Sequence, residues 1–335
     1  MAVNRISVAI WVTNNCNMNC RYCYEKKKVK KENLSDDKIN TILMFIRNIG
    51  IEKDVNSFCI TFHGGEPLIQ YLWIKKFISS IKKNEYFDNK EVRYELTTNG
   101  LLLNDEIIDY LNEHFDDVSV SIDGTKETHD SMRIYKNGRG TYDDVITNVK
   151  KFLDKNDGIN ARMTVNSRSI FNFEKNIEAV VSVGFKHIIP VIDIWDNDWN
   201  FENIKHIKYA NSFINEYQEK YSYIDIAPII PSSNKKLICD GGKTSFCISE
   251  DGWIYPCSFC VGEDKYRCGH ISNGLDIIEL EKIDNINRSI IEECRGCNNY
   301  HSCVSVRCKI VNELFNGSFD MPIPLLCYME HIKCG

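Results

Sequence analysis

The sequence predicts an α/β fold in which a partial, open (β/α)6 TIM-like barrel precedes a small cysteine-rich domain. Over the first two-thirds of the chain, short β-branched or aromatic runs alternate with longer stretches of helical spacing. Strands separated by helical crossovers pair in parallel. From Leu237 onward the composition of the chain changes, because eleven of the fifteen cysteines lie there. These two observations place the barrel in residues 1–225 and the cysteine-rich domain in residues 226–335.

The barrel prediction depends on six candidate strands separated by amphipathic segments. Apolar residues recur at helical spacing in those segments, for example at Ile39, Ile42, Leu43 and Ile46. The carboxyl ends of parallel strands share one edge, so polar residues that do chemistry are expected there. The predicted strands are Ile6–Thr13, Ser57–Phe62, Arg93–Thr98, Asp117–Ile122, Ile159–Val165 and His187–Ile192.

The cysteine-rich segment contains little helical periodicity apart from Ile277–Ile291 and Val304–Phe315. It is also dense in Gly, Asn, Asp and Ser, which leaves few apolar positions for a core. We therefore expect this domain to be organised around metal.

Composition excludes several classes of protein. The net charge of −6 argues against nucleic acid as a partner, since phosphate binding requires a basic field. No apolar run is long enough to cross a membrane, and the N-terminus has no basic region or cleavage site of a signal peptide. We expect a cytoplasmic protein, in which thiols stay reduced and fifteen cysteines indicate metal rather than disulfides.

A compact cysteine motif follows the first predicted strand: Cys16-Asn-Met-Asn-Cys20-Arg-Tyr-Cys23-Tyr24. Thiolates bind zinc or iron–sulfur clusters, and a closed site of either kind would use four ligands. No further Cys or His lies between Cys23 and Cys59, which counts against zinc. Three cysteines would leave one iron of a cubane cluster open to a substrate or cofactor.

This motif resembles that of the radical SAM superfamily, in which the open iron of a [4Fe–4S] cluster is chelated by S-adenosylmethionine. The resemblance implies that Cys16, Cys20 and Cys23 are metal ligands. Further segments at predicted strand ends resemble the family's cofactor contacts, and glycine would let the backbone approach the ligand. They imply cofactor binding by Tyr22, Gly64, Gly65, Glu66, Thr98, Asn99, Ser121, Asp123 and Arg133.

The C-terminal cysteines resemble the SPASM extension of peptide-modifying radical SAM enzymes, which holds two auxiliary [4Fe–4S] clusters. Gly252 and Cys257 form a Gx4C unit, and four residues rather than the family's three separate Cys303 from Cys308. A zinc ribbon built from the second set alone is the alternative. The resemblance assigns one cluster to Cys239, Cys257, Cys308 and Cys247, with Cys260 or Cys268 competing for the last place, and the other to Cys294, Cys297, Cys303 and Cys327.

The resemblance implies reductive cleavage of S-adenosylmethionine to a 5′-deoxyadenosyl radical that takes a hydrogen atom from a ribosomally synthesised precursor peptide. A thioether or carbon–carbon crosslink is the expected product. Epimerisation, with Cys260 or Cys268 as the catalytic hydrogen donor, is the first alternative, although both thiols could be ordinary loop cysteines. Sulfatase maturases, the second alternative, carry an Asp base directly after the Gx4C cysteine, where this chain has Ser258.

The implied partners are the precursor peptide and a flavodoxin or ferredoxin electron donor. Because the first cysteine of the motif is residue 16, we expect no leader-binding domain ahead of the barrel. A separate leader-binding protein, or the barrel and SPASM surfaces, would recognise the leader. A non-enzymatic electron-transfer protein is the competing class, and it would leave the segments around Glu66, Asn99 and Asp123 without a use.

Overall fold

A computed structural model describes residues 5–27, 33–230, 239–301 and 303–334, without the side chains of residues 26, 27, 333 and 334. Its strands form one sheet in the order β11-β10-β9-β8-β1-β2-β3-β4-β5-β6-β7. From β8 to β7 every neighbouring pair is parallel, whereas β9, β10 and β11 are added antiparallel. The strands are β1 Ile6–Thr13, β2 Ser57–Gly64, β3 Glu91–Thr98, β4 Asp117–Ser121, β5 Asn160–Val165, β6 His187–Ile192, β7 Asp225–Ile226, β8 Ser245–Ile248, β9 Trp253–Tyr255, β10 Gly269–His270 and β11 Gly274–Leu275.

Helices connect the parallel strands as crossovers and pack one apolar face on the sheet. Several begin at a side-chain cap, such as Asn104 before the third helix and Asn200 before the seventh. The helices are α1 Lys38–Glu52, α2 Tyr71–Lys82, α3 Asp105–His114, α4 Lys126–Met132, α5 Tyr142–Leu153, α6 Phe173–Val183, α7 Phe201–Lys220, α8 Ile277–Arg288, α9 Val304–Arg307, α10 Lys309–Asn316 and α11 Pro324–Cys334.

The main core lies between the parallel sheet and the crossover helices. Phe58 and Phe62 of β2 are fully buried, and Phe62 packs edge-on against Phe77 of α2. Near-continuous burial of this kind is typical of parallel strands that are covered by helices. No helix in the described part of the chain is both long and apolar enough to cross a membrane.

The predicted fold class is confirmed, and all six predicted strands are present with small differences at their ends. The sequence did not predict that the cysteine-rich segment would extend the sheet. Strand β8 pairs with β1 over four residues, from Ser7 opposite Ser245 to Ile10 opposite Ile248. The predicted helix Val304–Phe315 is interrupted at Cys308, which ends α9 and precedes α10. The division of the chain at residue 225 stays a prediction.

Candidate active site

The loop that carries Cys16, Cys20 and Cys23 leaves the carboxyl end of β1 and is fixed by backbone hydrogen bonds. Arg21 N donates to Met132 O at 2.8 Å, and Asn19 N donates to Ile134 O at 2.7 Å. These bonds connect the loop to the last residue of α4 and to the segment that follows it. The three thiols are therefore presented at the same edge as the polar ends of the other parallel strands.

The three thiols lie close enough to influence one another. Burial and the charges of Glu66, Cys20 and Cys23 raise the pKa of Cys16 to about 11, although an N–H bond from Met18 opposes the shift. Met18 N donates to Cys16 Sγ at 3.4 Å, and Asn99 Nδ2 donates at 3.7 Å. N–H groups aimed at sulfur stabilise a thiolate once a metal has displaced its proton.

The donor set fits an iron–sulfur cluster with three protein ligands. No three Cys, His, Asp or Glu side chains within the described ranges are arranged to hold a single metal ion. In a cubane cluster each thiolate binds a different iron, so the sulfurs need only face a common volume. The thiols of Cys16, Cys20 and Cys23 are half-buried, and those of Cys20 and Cys23 lie within electrostatic range of Cys16, which is compatible with such a cluster.

Glu66 joins the second strand end to the third. Its Oε1 accepts from Thr98 Oγ1 at 2.8 Å and from Leu68 N at 3.1 Å, while Oε2 accepts from Asn99 N at 2.7 Å. Burial nevertheless raises the pKa of this carboxyl to about 7. A buried carboxylate held by neutral donors is suited to pair with a ligand cation such as an ammonium group.

Gly64 and Gly65 allow two segments of the protein's own backbone to lie close together. A Cβ at Gly64, where φ is +132°, would lie 2.0 Å from Thr13 O, and one at Gly65 would lie 2.4 Å from Asn15 O. Gly65 N donates to Thr13 O at 2.9 Å, and Glu66 N donates to Asn15 O at 2.9 Å. The two glycines therefore let the end of β2 lie directly against the start of the cysteine loop, a reason that differs from the expected approach to a ligand.

Asp123, two residues after the end of β4, is the centre of a buried network with Tyr22 and Arg133. Tyr22 donates from its hydroxyl to Asp123 Oδ2 at 2.6 Å, and Thr164 N donates to Oδ1 at 2.9 Å. Arg133 reaches both carboxylate oxygens. Burial opposes the charge on Arg133, but Asp123 and Tyr22 outweigh it and raise the pKa of the guanidinium. Ser121, the last residue of β4, is half-buried at the same strand end.

The structure brings the C-terminal cysteines together in two groups. Cys239, Cys257 and Cys308 each lie within electrostatic range of another member, beside the Arg307 guanidinium. The second group is connected in the same way, since burial and then the charges of its other members raise the pKa of Cys294 to about 11. It consists of Cys294, Cys297, Cys303 and Cys327.

Three further cysteines of the C-terminal segment are buried. Cys247 lies on β8, 4% exposed, and Cys260 and Cys268 are fully buried. Cys260 Sγ donates to Cys257 O at 3.1 Å, and Cys268 Sγ donates to Ile254 O at 3.4 Å. The Cys260 thiol lowers the pKa of Cys257. Cys260 is therefore in direct contact with Cys257, a member of the first group.

A cavity of about 1270 Å³ opens between the two cysteine-bearing regions. Its wall includes Cys23 and Tyr24 of the N-terminal loop, Asp193 and Trp195 after β6, and Ser258 and Phe259 after Cys257. Ring centroids of Tyr24 and Trp195 each lie 6.1 Å from that of Phe259. The predicted hydrogen donors Cys260 and Cys268 are not among the residues of this wall.

Sequence reasoning missed Asp193, a half-buried carboxyl on this wall. Burial, and then the charge of Asp196, raises its pKa to about 6 against the effect of the Trp195 N–H bond. The signal was present in the sequence, because Asp193 directly follows the predicted strand His187–Ile192 and the ends of barrel strands carry chemistry.

A family model described as the Radical SAM superfamily matches residues 10–168. This part of the chain is a radical SAM domain, and the protein is an enzyme. The domain implies one [4Fe–4S] cluster and S-adenosylmethionine as cofactors, in agreement with the donor set at the end of β1.

Three known proteins are similar to this chain over most of its length. A cysteine-type anaerobic sulfatase-maturating enzyme from Clostridium novyi (strain NT) is 27% identical over 324 residues, covering 88% of this chain and 85% of the relative. The fold is similar to that of anSMEcpe with bound AdoMet, with a TM-score of 0.80 at 22% identity, covering 97% and 95% of the two chains. It is also similar to Streptococcus suis SuiB bound to precursor peptide SuiA, with a TM-score of 0.70 at 13% identity, covering 97% and 76%.

Proposed function

We propose that this enzyme cleaves S-adenosylmethionine reductively and oxidises a peptide bound in the cavity between its two cysteine-bearing regions. The position of that cavity carries the proposal. Its wall contains Cys23 of the N-terminal motif and also Ser258 and Phe259, which directly follow Cys257. A side chain of the substrate placed there would lie between a radical source and an electron acceptor.

The chain's own residues would divide the work. Cys16, Cys20 and Cys23 would hold one [4Fe–4S] cluster, and Glu66, Asn99 and neighbouring strand-end residues would hold S-adenosylmethionine. Bound there, the pair would supply a 5′-deoxyadenosyl radical that removes a hydrogen atom from the peptide. The two C-terminal cysteine groups would hold auxiliary clusters in a domain that spans residues 226–335, with a flavodoxin or ferredoxin as the external electron donor. A leader segment would bind to the barrel and SPASM surfaces or to a separate leader-binding protein.

The relatives support a peptide as the substrate. anSMEcpe has been solved with a bound Cp18Cys peptide, and SuiB with the precursor peptide SuiA. A volume of about 1270 Å³ exceeds that of an ordinary small-molecule pocket and suits several residues of an extended chain.

Two oxidations fit the site, and crosslinking is our first choice. Ser258 stands where sulfatase maturases carry their Asp base, which favours a thioether or carbon–carbon crosslink. Conversion of a cysteine to formylglycine is the second candidate, because the Clostridium novyi maturase matches 88% of the chain. Epimerisation is less favoured. It would require a thiol at the cavity wall to return a hydrogen atom, and Cys260 and Cys268 are fully buried away from it.

The test begins with reconstituted, reduced enzyme and S-adenosylmethionine under anaerobic conditions. We expect 5′-deoxyadenosine in chromatography with mass detection, and none from a variant with Cys16, Cys20 and Cys23 all replaced by alanine. Wild-type enzyme that forms no 5′-deoxyadenosine would contradict the proposal.

The second stage identifies the reaction with a peptide encoded beside the gene, and with Cp18Cys and SuiA peptides as probes. High-resolution mass spectrometry separates the outcomes. A crosslink removes two hydrogen atoms and keeps sulfur, formylglycine formation from cysteine removes sulfur, and epimerisation leaves the mass unchanged. An unchanged mass with an inverted residue would overturn the oxidative proposal.

A further inference from the structure

Asp193 is held in a defined position by its own loop. Asp193 N donates to Val165 O at 2.8 Å, which fixes the backbone to the end of β5. Trp195 N donates to Asp193 Oδ1 at 3.0 Å, and Trp199 Nε1 donates to the backbone carbonyl of Asp193 at 2.9 Å. The carboxyl group is therefore oriented before any substrate binds.

This loop packs against the segment that follows Cys257. The Trp195 ring lies 6.1 Å from that of Phe259 and 5.8 Å from that of Phe315 of α10. Asp193 and Ser258 consequently share one cavity wall. A carboxylate on the β6 loop can face the same bound peptide as a side chain at position 258.

The charge state of Asp193 suits a base that works near neutral pH. No lysine or arginine of the described residues forms an ion pair with it, and burial raises its pKa. A base is most effective when its pKa lies close to the working pH. A carboxylate that has no cationic partner and a pKa of about 6 is ionised at pH 7 and still accepts a proton readily.

Ser258 cannot supply the base that sulfatase maturases have at the corresponding position. Sulfatase maturases, which the chain resembles, carry an Asp base at the position that corresponds to Ser258. A serine hydroxyl is too weak a base to take a proton from a thiol. We propose that Asp193 is the proton acceptor of the peptide oxidation, supplied from the β6 loop instead of from position 258. This inference rests on the proposed function.

The step balances as follows for a thioether product. A C–H bond of the peptide breaks, its hydrogen atom forms 5′-deoxyadenosine, and a carbon radical remains. The S–H bond of a peptide cysteine then breaks, its proton passes to the Asp193 carboxylate, and sulfur bonds to the carbon. One electron is left over, and an oxidised iron–sulfur cluster, which Cys239, Cys257 and Cys308 would help to hold, would accept it. For other oxidations the proton comes from the corresponding C–H or S–H group.

The experiment compares wild-type holoenzyme with Asp193→Asn, which keeps the Oδ1 acceptor for Trp195 N. The probe is the co-encoded peptide whose wild-type product has been identified, deuterated at the carbon that loses hydrogen. Transfer of deuterium into 5′-deoxyadenosine reports the first step, and the modified peptide reports the second. We expect deuterium transfer within about threefold of wild type and product formation lower by about 100-fold or more.

Two further variants make the result specific. Adding Ser258→Asp to Asp193→Asn returns a carboxylate to the same wall and should restore product formation at least about tenfold. Asp154→Asn, at an exposed position after α5 and outside the cavity wall, is the control and should keep product formation within about threefold of wild type.

Other outcomes would overturn the assignment. Normal product formation by Asp193→Asn would show that another group takes the proton. Loss of deuterium transfer in that variant would also refute it, because Asp193 would then act before the proton leaves. Wild-type enzyme without 5′-deoxyadenosine would instead refute the proposed function, so the two failures are distinguishable.

Discussion

Arg133 and Asp123 form a buried two-point ion pair that connects the segment after α4 with the end of β4. Arg133 Nε lies 2.9 Å from Asp123 Oδ2, and Nη2 lies 3.1 Å from Oδ1. The two side chains are 8% and 2% exposed. Tyr22, within the cysteine motif, donates to the same carboxylate. The pair therefore holds the cysteine loop to the barrel, whatever contact its members make with S-adenosylmethionine.

Replacement of Arg133 should destabilise the protein strongly. Arg133→Ala leaves Asp123 buried without a cation, a loss of about 3–5 kcal/mol. Arg139→Ala is the matched control, because Arg139 pairs with Asp144 at the surface and such pairs contribute about 1 kcal/mol or less. Anaerobic urea unfolding measures both. Equal midpoints for the two variants would show that the buried pair contributes no more than a surface pair.

Glu66 should make binding of S-adenosylmethionine depend on pH. The pKa of its carboxyl is raised to about 7, so below pH 7 the group is protonated and must lose a proton before it can pair with the ligand's ammonium. Affinity should therefore fall as pH drops through 7 and level off above it. Isothermal titration of the cluster-loaded enzyme between pH 6.5 and pH 8, in buffers of different ionisation enthalpy, measures both affinity and proton release.

Removing the Glu66 charge provides the control for that dependence. Glu66→Gln should weaken binding by about 10- to 100-fold, the value of a hydrogen bond to a charged group, and abolish the pH dependence. Glu106→Gln, on the surface of α3, should change neither. A pH dependence that survives in Glu66→Gln would assign it to another group.

Gly65 should be required for iron at the N-terminal motif. In Gly65→Ala the new methyl group would lie 2.4 Å from Asn15 O, so the end of β2 and the cysteine loop must separate. We expect loss of the iron bound by Cys16, Cys20 and Cys23. Gly138→Ala is the comparison, since its methyl would meet nothing within 4 Å and only local backbone strain follows. Iron analysis and electron paramagnetic resonance would contradict the expectation if both variants kept full occupancy.

The three cysteine groups should load iron independently. Replacing Cys16, Cys20 and Cys23 with alanine should leave about two-thirds of the iron, and so should replacing Cys294 and Cys297 with serine. Cys59→Ser should retain all of it, because Cys59 is a buried residue of β2. Iron and sulfide analysis of anaerobic protein gives the result. Zinc in place of iron at either C-terminal group would contradict the auxiliary clusters.

The parallel strands were predictable because each gives a strong local signal. Runs such as Ile6–Thr13 are long and apolar, and helical spacing between them leaves little ambiguity. The strands after Leu237 gave no such signal. Strand β9 spans Trp253–Tyr255 and strand β10 spans Gly269–His270, which are too short for any periodicity to develop. Strand β9 pairs with β8 and strand β10 pairs with β9, so each depends on the backbone groups of a neighbouring strand rather than on a local signal of its own.

The candidate site likewise contains residues that the sequence predicts and residues that it does not. Cysteine spacing, strand-end positions and the resemblance to radical SAM enzymes together predicted the three cysteine groups, Glu66, Asn99 and Asp123 as site residues. The hydrogen bonds that Tyr22 and Arg133 donate to Asp123 were not predictable, since they depend on where distant segments of the chain meet. Asp193 could have been noted as a strand-end residue, but its position opposite the segment after Cys257 depends on the contact between Trp195 and Phe259, which the sequence does not show.

The pairing of β8 with β1 joins both cysteine-bearing regions to one rigid support. Strand β1 leads directly into the Cys16 loop, and the parallel strand β8 ends beside it, just before the turn that precedes Cys257. Neither region can swing away without breaking main-chain hydrogen bonds. The backbone therefore fixes the distance that an electron leaving the substrate would travel. That distance would be the same for peptides of different sequence.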